Sequence, residues 1–190
     1  MSFPRAVGQE PLYYNQFPTG RPEQFPDPER PGAVETKYVS KYLDVPNSAL
    51  FPFGHGLGYT SFAYSDVKVS MPRVSFAALT SDQNTHPVHA TATVTNTGHR
   101  RGTEIVQCYV RIIGASVEQP VRGLKGFTRV TLDPGESRRV EFPLGFDELS
   151  FLNADNRRVV EPADYTVWIG GSSTADKSVE FQTTVAVGAH

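Results

Sequence analysis

From about residue 62 onward, apolar and polar residues alternate with a period of two. In VHATATVT (88–95), Val88, Ala90, Ala92 and Val94 face one way, and His89, Thr91, Thr93 and Thr95 the other. TEIVQCYVRI (103–112) puts Val106, Cys108, Val110 and Ile112 on one face, and SRRVEFPL (137–144) does the same with Val140, Phe142 and Leu144. DYTVWIG (164–170) aligns Tyr165, Val167 and Ile169, and SVEFQTTVAV (178–187) aligns Val179, Phe181, Thr183, Val185 and Val187. Successive strand side chains point to opposite faces, so each run predicts a half-buried antiparallel strand.

Turn residues separate the runs. Asn96-Thr97-Gly98 offers residues that tolerate left-handed backbone, and Asp133-Pro134-Gly135 suits a type II turn. Asn153-Ala154-Asp155-Asn156 can close a hairpin between FDELSFL and RRVVE. DELSFL alone reads as a helical turn, with Asp147-Glu148 at its start. About seven strands are expected over residues 63–190. Each has one apolar face to bury, and a two-sheet antiparallel β-sandwich does so.

The first sixty residues follow another rule. They hold Pro4, Pro11, Pro18, Pro22, Pro26, Pro28, Pro31, Pro46 and Pro52 out of 15 prolines in the chain. Proline fixes φ and removes a donor, so FPTGRPEQFPDPERPG (17–32) is neither a helix nor a central strand. A disordered linker competes with an extended segment laid on a folded surface. The aromatic stretches YYN (13–15), KYVSKYLDV (37–45) and LFPFGHGLGYTSF (50–62) favour the second, as anchors.

Bulk composition narrows the field without naming a function. The 190 residues carry a net charge of −2, which excludes a simple nucleic-acid binder for want of a basic excess. The single cysteine excludes a disulfide framework and multi-cysteine zinc sites. No run approaches the ~18 apolar residues of a membrane span. The first residues, MSFPRAVGQEPLYY, lack the apolar core of a signal peptide.

Six segments then carry a resemblance in order. They are FPRAVGQEPLYYNQFPTGRP (3–22), LFPFGHGLGYTSFAYSDVKVS (50–70), VTNTG (94–98), GTEIVQCYVR (102–111), PVRGLKGFTRVTLDPGES (120–137) and DYTVWIGGSS (164–173). They resemble the C-terminal end of glycoside hydrolase family 3 enzymes, above all bacterial β-glucosidases of the periplasmic type. The resemblance implies that residues 1–58 are the tail of a preceding α/β domain with its linker, packed on the sandwich. It implies that residues 59–190 are a fibronectin type III-like, immunoglobulin-like β-sandwich. The partners it implies are an upstream barrel and α/β domain of a parent enzyme that hydrolyses β-glucosides with retention, and a periplasmic or secreted location. The family's nucleophile and acid/base motifs have no counterpart here, so no residue is assigned a catalytic role and no cofactor is expected. Gly58 stands where the family often has serine.

Several residue types in the chain can carry chemistry of their own. Glu104, Glu141, Glu161, Asp164 and Glu180 fall at strand ends or on polar faces and are read as solvated. Gly54, Gly56 and Gly58 mimic a phosphate loop without the strand such a loop follows. His86 and His89 would fall on opposite sides of a strand, which disfavours a metal site. His55 is read as structural, and Cys108 as a buried, inert thiol. Trp168 lies opposite the apolar face of its strand and is the weak candidate for carbohydrate contact, against packing. Tyr13, Tyr14, Tyr38, Tyr42, Phe51, Phe53 and Tyr59 are read as packing between domains. The competing reading of the whole chain is a stand-alone carbohydrate-binding module.

Overall fold

The computed structural model describes residues 1–9, 12–19, 40, 42, 44–82 and 85–184. Most of the proline-rich run, most of 37–45 including Tyr38, and Val185, Val187 and His190 lie outside the described residues.

The alternating runs become strands whose inner residues meet in one core. Their ranges are β1 (Phe62–Val69), β2 (Arg73–Ser75), β3 (Val88–Asn96), β4 (Gly102–Ile113), β5 (Gly123–Leu132), β6 (Ser137–Leu144), β7 (Phe151–Leu152), β8 (Arg158–Val159), β9 (Asp164–Gly170) and β10 (Ser178–Thr184). Only β2, β7 and β8 are shorter than seven residues, so about seven full strands is what the alternation predicted. One sheet has the order β1-β3-β6, and the other β2-β10-β9-β4-β5. Pairing is antiparallel except between β10 and the short β2. The chain crosses between sheets from β3 to β4 and again from β5 to β6, as expected of a sandwich. Val88, Ala90, Ala92 and Val94 on one sheet pack in the same cluster as Val106, Cys108, Val110, Tyr165, Val167 and Ile169 on the other. Tyr165 stacks on Phe181 at 4.8 Å between ring centres.

The turns carry their expected chemistry with one exception. Glu136 N–H donates to Asp133 O at 2.9 Å, and Gly135 has φ 77°, the type II conformation that needs glycine. Asn153 Oδ1 accepts the N–H groups of Asp155 and Arg157, and Asn156 takes φ 58°, closing the β7–β8 hairpin. FDEL forms a one-turn helix, α2 (Phe146–Leu149), between α1 (Phe76–Thr80) and β7 in chain order around the short β6–β7 link. There Glu148, and not Asp147, reaches back to the Gly145 N–H at 2.9 Å; Asp147 pairs with Arg158 at 2.7 Å.

The exception is Asn96-Thr97-Gly98, where no residue is left-handed. The Asn96 side chain shapes this turn instead. It is fully buried, donates to Arg100 O and Leu132 O, and accepts from Gly98 N–H and Thr60 Oγ1. Four hydrogen bonds satisfy both ends of the amide, which makes its burial tolerable.

Strand β4 departs from simple alternation. Gln107 and Tyr109, on the face expected to be polar, are as buried as Cys108 and Val110. The reason is tertiary: part of the leading segment covers the outer face of this sheet.

Candidate functional site

Two pieces of the leading segment reach the outer sheet face. Tyr14 stacks on Phe53 at 4.3 Å, and meets Tyr109 edge-on at 5.8 Å. Such offset and edge-to-face pairs add about 0.5–1.5 kcal/mol each beyond their buried area. The Tyr109 hydroxyl donates to Gln107 Oε1, and Gln107 Nε2 donates to Gly171 O at 2.7 Å. Burial, with Tyr14 close by, pushes the Tyr109 hydroxyl well above the ordinary tyrosine range. Gly54 follows Phe53 with φ 83°, and a side chain there would collide with Gln107. Backbone bonds complete the seat: Ser173 N–H to Phe53 O and Val121 N–H to Gln16 O, both 2.9 Å.

The leading segment also binds itself. Phe3 and Phe51 form an isolated antiparallel bridge and meet edge-on at 6.4 Å. Gln9 is fully buried at the end of a 3-10 turn (Val7–Gln9), where it receives the Arg5 N–H and donates to Pro46 O. Tyr42 donates its hydroxyl to Gln9 O at 2.9 Å. Many of its large apolar side chains are exposed. Met1, Phe3, Val7, Tyr13, Phe17, Leu50 and Phe51 are exposed, and Leu57 and Tyr59 are each 93% exposed. Met1, Phe3, Phe51, Pro52, His55 and Leu57 line a cleft there, with His55 stacked on Phe51 at 5.1 Å.

Trp168 is half-buried on the same outer sheet face, paired across the strands with Tyr109. The Arg122 guanidinium lies over its ring at 4.2 Å and donates to Ser173 O and Ala175 O at 2.6 and 2.9 Å. Burial lowers the pKa of this guanidinium, and Tyr109 opposes the shift.

The remaining candidates scatter. Glu104 is half-buried and accepts the Tyr64 hydroxyl at 2.7 Å, so it is not the solvated carboxylate expected. Burial first, and then Glu104, raises the Tyr64 pKa. Glu161 takes both the N–H and the hydroxyl of Ser116, at 2.8 and 2.7 Å. Glu141 faces His89 at 2.7 Å, while Asp164 receives Gln182 and Glu180 is exposed. His86 lies 3.8 Å from Glu148, away from His89, and among the described residues no group of three His, Cys, Asp or Glu side chains could hold a metal. Cys108 is buried, and burial pushes its thiol up to about 12. Nothing in the sequence singles out Arg122 or Gln107, and Gly54 stands out there only as part of an apparent phosphate loop. The one signal available for them was a tyrosine and a glutamine on the supposedly polar face of β4.

Comparison with known proteins then separates what the chain shares from what it lacks. A fibronectin type III-like domain model matches residues 104–173. The periplasmic β-glucosidase of Salmonella typhimurium is 42% identical over 182 residues, covering 96% of this chain and 22% of that protein. The structure of a β-glucosidase from Listeria innocua in complex with glucose superposes with a TM-score of 0.82 at 33% identity, over 98% of this chain and 24% of that one. A family 3 β-glucosidase structure from Bifidobacterium adolescentis gives 0.61 at 35% identity, over 72% and 19%. The chain corresponds to the C-terminal part of a glycoside hydrolase family 3 β-glucosidase. It spans about a fifth of the length of the relatives it matches. The fibronectin-like match begins inside β4, so the sandwich described above extends well beyond it on both sides.

Proposed function

We propose that this chain is a non-catalytic structural module of a retaining β-glucosidase-like glycoside hydrolase. It supports upstream barrel and α/β domains, with residues 1–58 as the tail of the α/β domain and residues 59–190 as the fibronectin-like support. The observation that carries this reading is where the uncovered apolar surface sits. Among the described residues, nine large hydrophobic side chains stand exposed between Met1 and Tyr59, on a segment that is itself pinned to the sandwich. Met1, Phe3, Phe51 and Leu57 among them gather at one cleft, and clustered exposed apolar surface marks a contact with another folded body. The carboxylates support the same reading. Glycoside hydrolysis needs two carboxyl groups about 5–9.5 Å apart across a sugar site, whereas Glu104 and Glu161 are engaged with Tyr64 and Ser116.

The test uses the purified chain and an aryl β-D-glucoside. The expected result is no release of the aryl group above buffer, together with loss of activity when residues 59–190 are deleted from the enzyme that carries them. Turnover by the chain itself overturns the non-catalytic role. A parent enzyme that keeps its activity and Tm without these residues overturns the supporting role. Saturable binding of glucan oligosaccharides that Trp168→Ala abolishes would install the stand-alone binding module in its place.

A further inference from the structure

The outer face of the five-stranded sheet holds a closed circuit of contacts that links five separate stretches of chain. Beginning at the tryptophan, Arg122 covers Trp168 and donates to the carbonyl of Ser173. The Ser173 N–H donates to Phe53 O. Phe53 stacks on Tyr14, whose edge-on partner is Tyr109. Tyr109 is the cross-strand partner of Trp168, which closes the circuit. A second arm runs beside it, because the residue before Arg122 donates its N–H to Gln16 O on the leading segment.

We propose that Arg122 is a positioning residue that locks the leading segment onto the sandwich. It does so by holding the 171–175 turn in the one arrangement that presents the Ser173 N–H to Phe53, and by holding Val121 against Gln16. The chemistry of the side chain fits this role. A guanidinium presents donors in a rigid plane and can stack on an indole while serving two carbonyls. A lysine ammonium is a point charge on a flexible stem and cannot do all three. The position also fits. Phe51 lies on the uncovered apolar side and Phe53 on the seated side, two residues apart, so the seating of Phe53 sets where the apolar cleft stands relative to the sandwich.

Amide hydrogen exchange on the full chain tests it. Arg122→Met keeps the side-chain stem and removes the guanidinium. It is expected to speed exchange of the Ser173 and Val121 amides about tenfold while leaving the β3 and β6 ladders unchanged. Arg122→Lys is expected to behave like Arg122→Met. Unchanged exchange at Ser173 and Val121 in Arg122→Met, or full rescue by lysine, overturns the proposal. Should the arginine variants unfold, Tyr14→Ala reads the circuit from its other end. The chain has a single tryptophan, and its emission is expected to shift to the red when Tyr14 is truncated two contacts away. Emission identical to that of the unaltered chain would show that the circuit is not coupled, and would overturn the proposal as well.

Discussion

At the scale of single residues, the features that matter most are polar side chains placed where water cannot reach. Asn96 is the clearest case. The Asn-Thr-Gly sequence marks it only as a turn residue, yet its amide bridges Thr60, Gly98, Arg100 and Leu132. Leaving those partners unsatisfied costs more than the hydrogen bonds contribute net, because each orphaned buried group keeps its desolvation penalty. Asn96→Ala is therefore expected to destabilise the sandwich by about 3 kcal/mol in urea unfolding, several times the effect of Thr97→Ala next to it. Cys108 is the opposite case. An apolar position in an alternating strand already implied a buried thiol; it is buried, and burial raises its pKa.

Among the elements, the turn that carries the chain from β5 across to β6 shows electrostatics working through geometry. Glu136 is half-exposed, and its carboxylate accepts the Asp133 N–H at 2.9 Å and pairs with Arg138 at 2.8 Å. The backbone N–H first, and Arg138 second, hold its pKa below the ordinary glutamate value of 4.5. A folded-state pKa below the unfolded one means that the ionised form stabilises the fold. That contribution is fully present above about pH 4.5 and is lost as the pH falls through the lowered value. Glu136→Gln is thus expected to lower Tm at pH 7, with the gap to the unaltered chain closing once the pH falls below the ordinary glutamate range. A gap that persists unchanged in acid would assign the loss to packing. In β4 the two faces were legible to different degrees. Val106, Cys108 and Val110 announced the core face through alternation. Gln107 and Tyr109 gave little sign of burial, since a long-range segment covers them and no local pattern encodes which strand face will be covered.

For the whole molecule, the distribution of surface separates the sandwich from what leads into it. The outer face of the β1-β3-β6 sheet is hydroxyl-rich and charged, with the Thr95–Ser137 and His89–Glu141 pairs across its strands. The leading segment carries the exposed Phe, Tyr, Leu and Met side chains. An isolated chain is therefore expected to bind a hydrophobic dye and to self-associate with rising concentration in sedimentation. Phe51→Ser combined with Leu57→Ser is expected to reduce both without lowering Tm, because neither side chain lies in the core cluster. A dye signal unaffected by that pair would move the apolar contact surface elsewhere, with the exposed Phe127 on β5 the next place to look.

Sequence by itself determined the all-β class, the number of full strands, the inner face of β3, β4, β6, β9 and β10, the Asp133–Gly135 and Asn153–Asn156 turns and the relationship to family 3 glycosidases. All of these depend on local conformational preference, on a period of two, or on the order of similar segments, and each is readable along the chain without knowing what lies across from it. Only the tertiary structure decided that Asn96 would be a buried bridge and that Glu104 would be claimed by Tyr64. It also decided that Tyr14 and Phe53 would seat on Tyr109 while Phe51 and Leu57 stayed exposed. Those outcomes depend on residues dozens of positions apart meeting across two sheets. Aromatic residues two apart in an irregular, proline-rich segment carry no periodicity to say which of them turns inward.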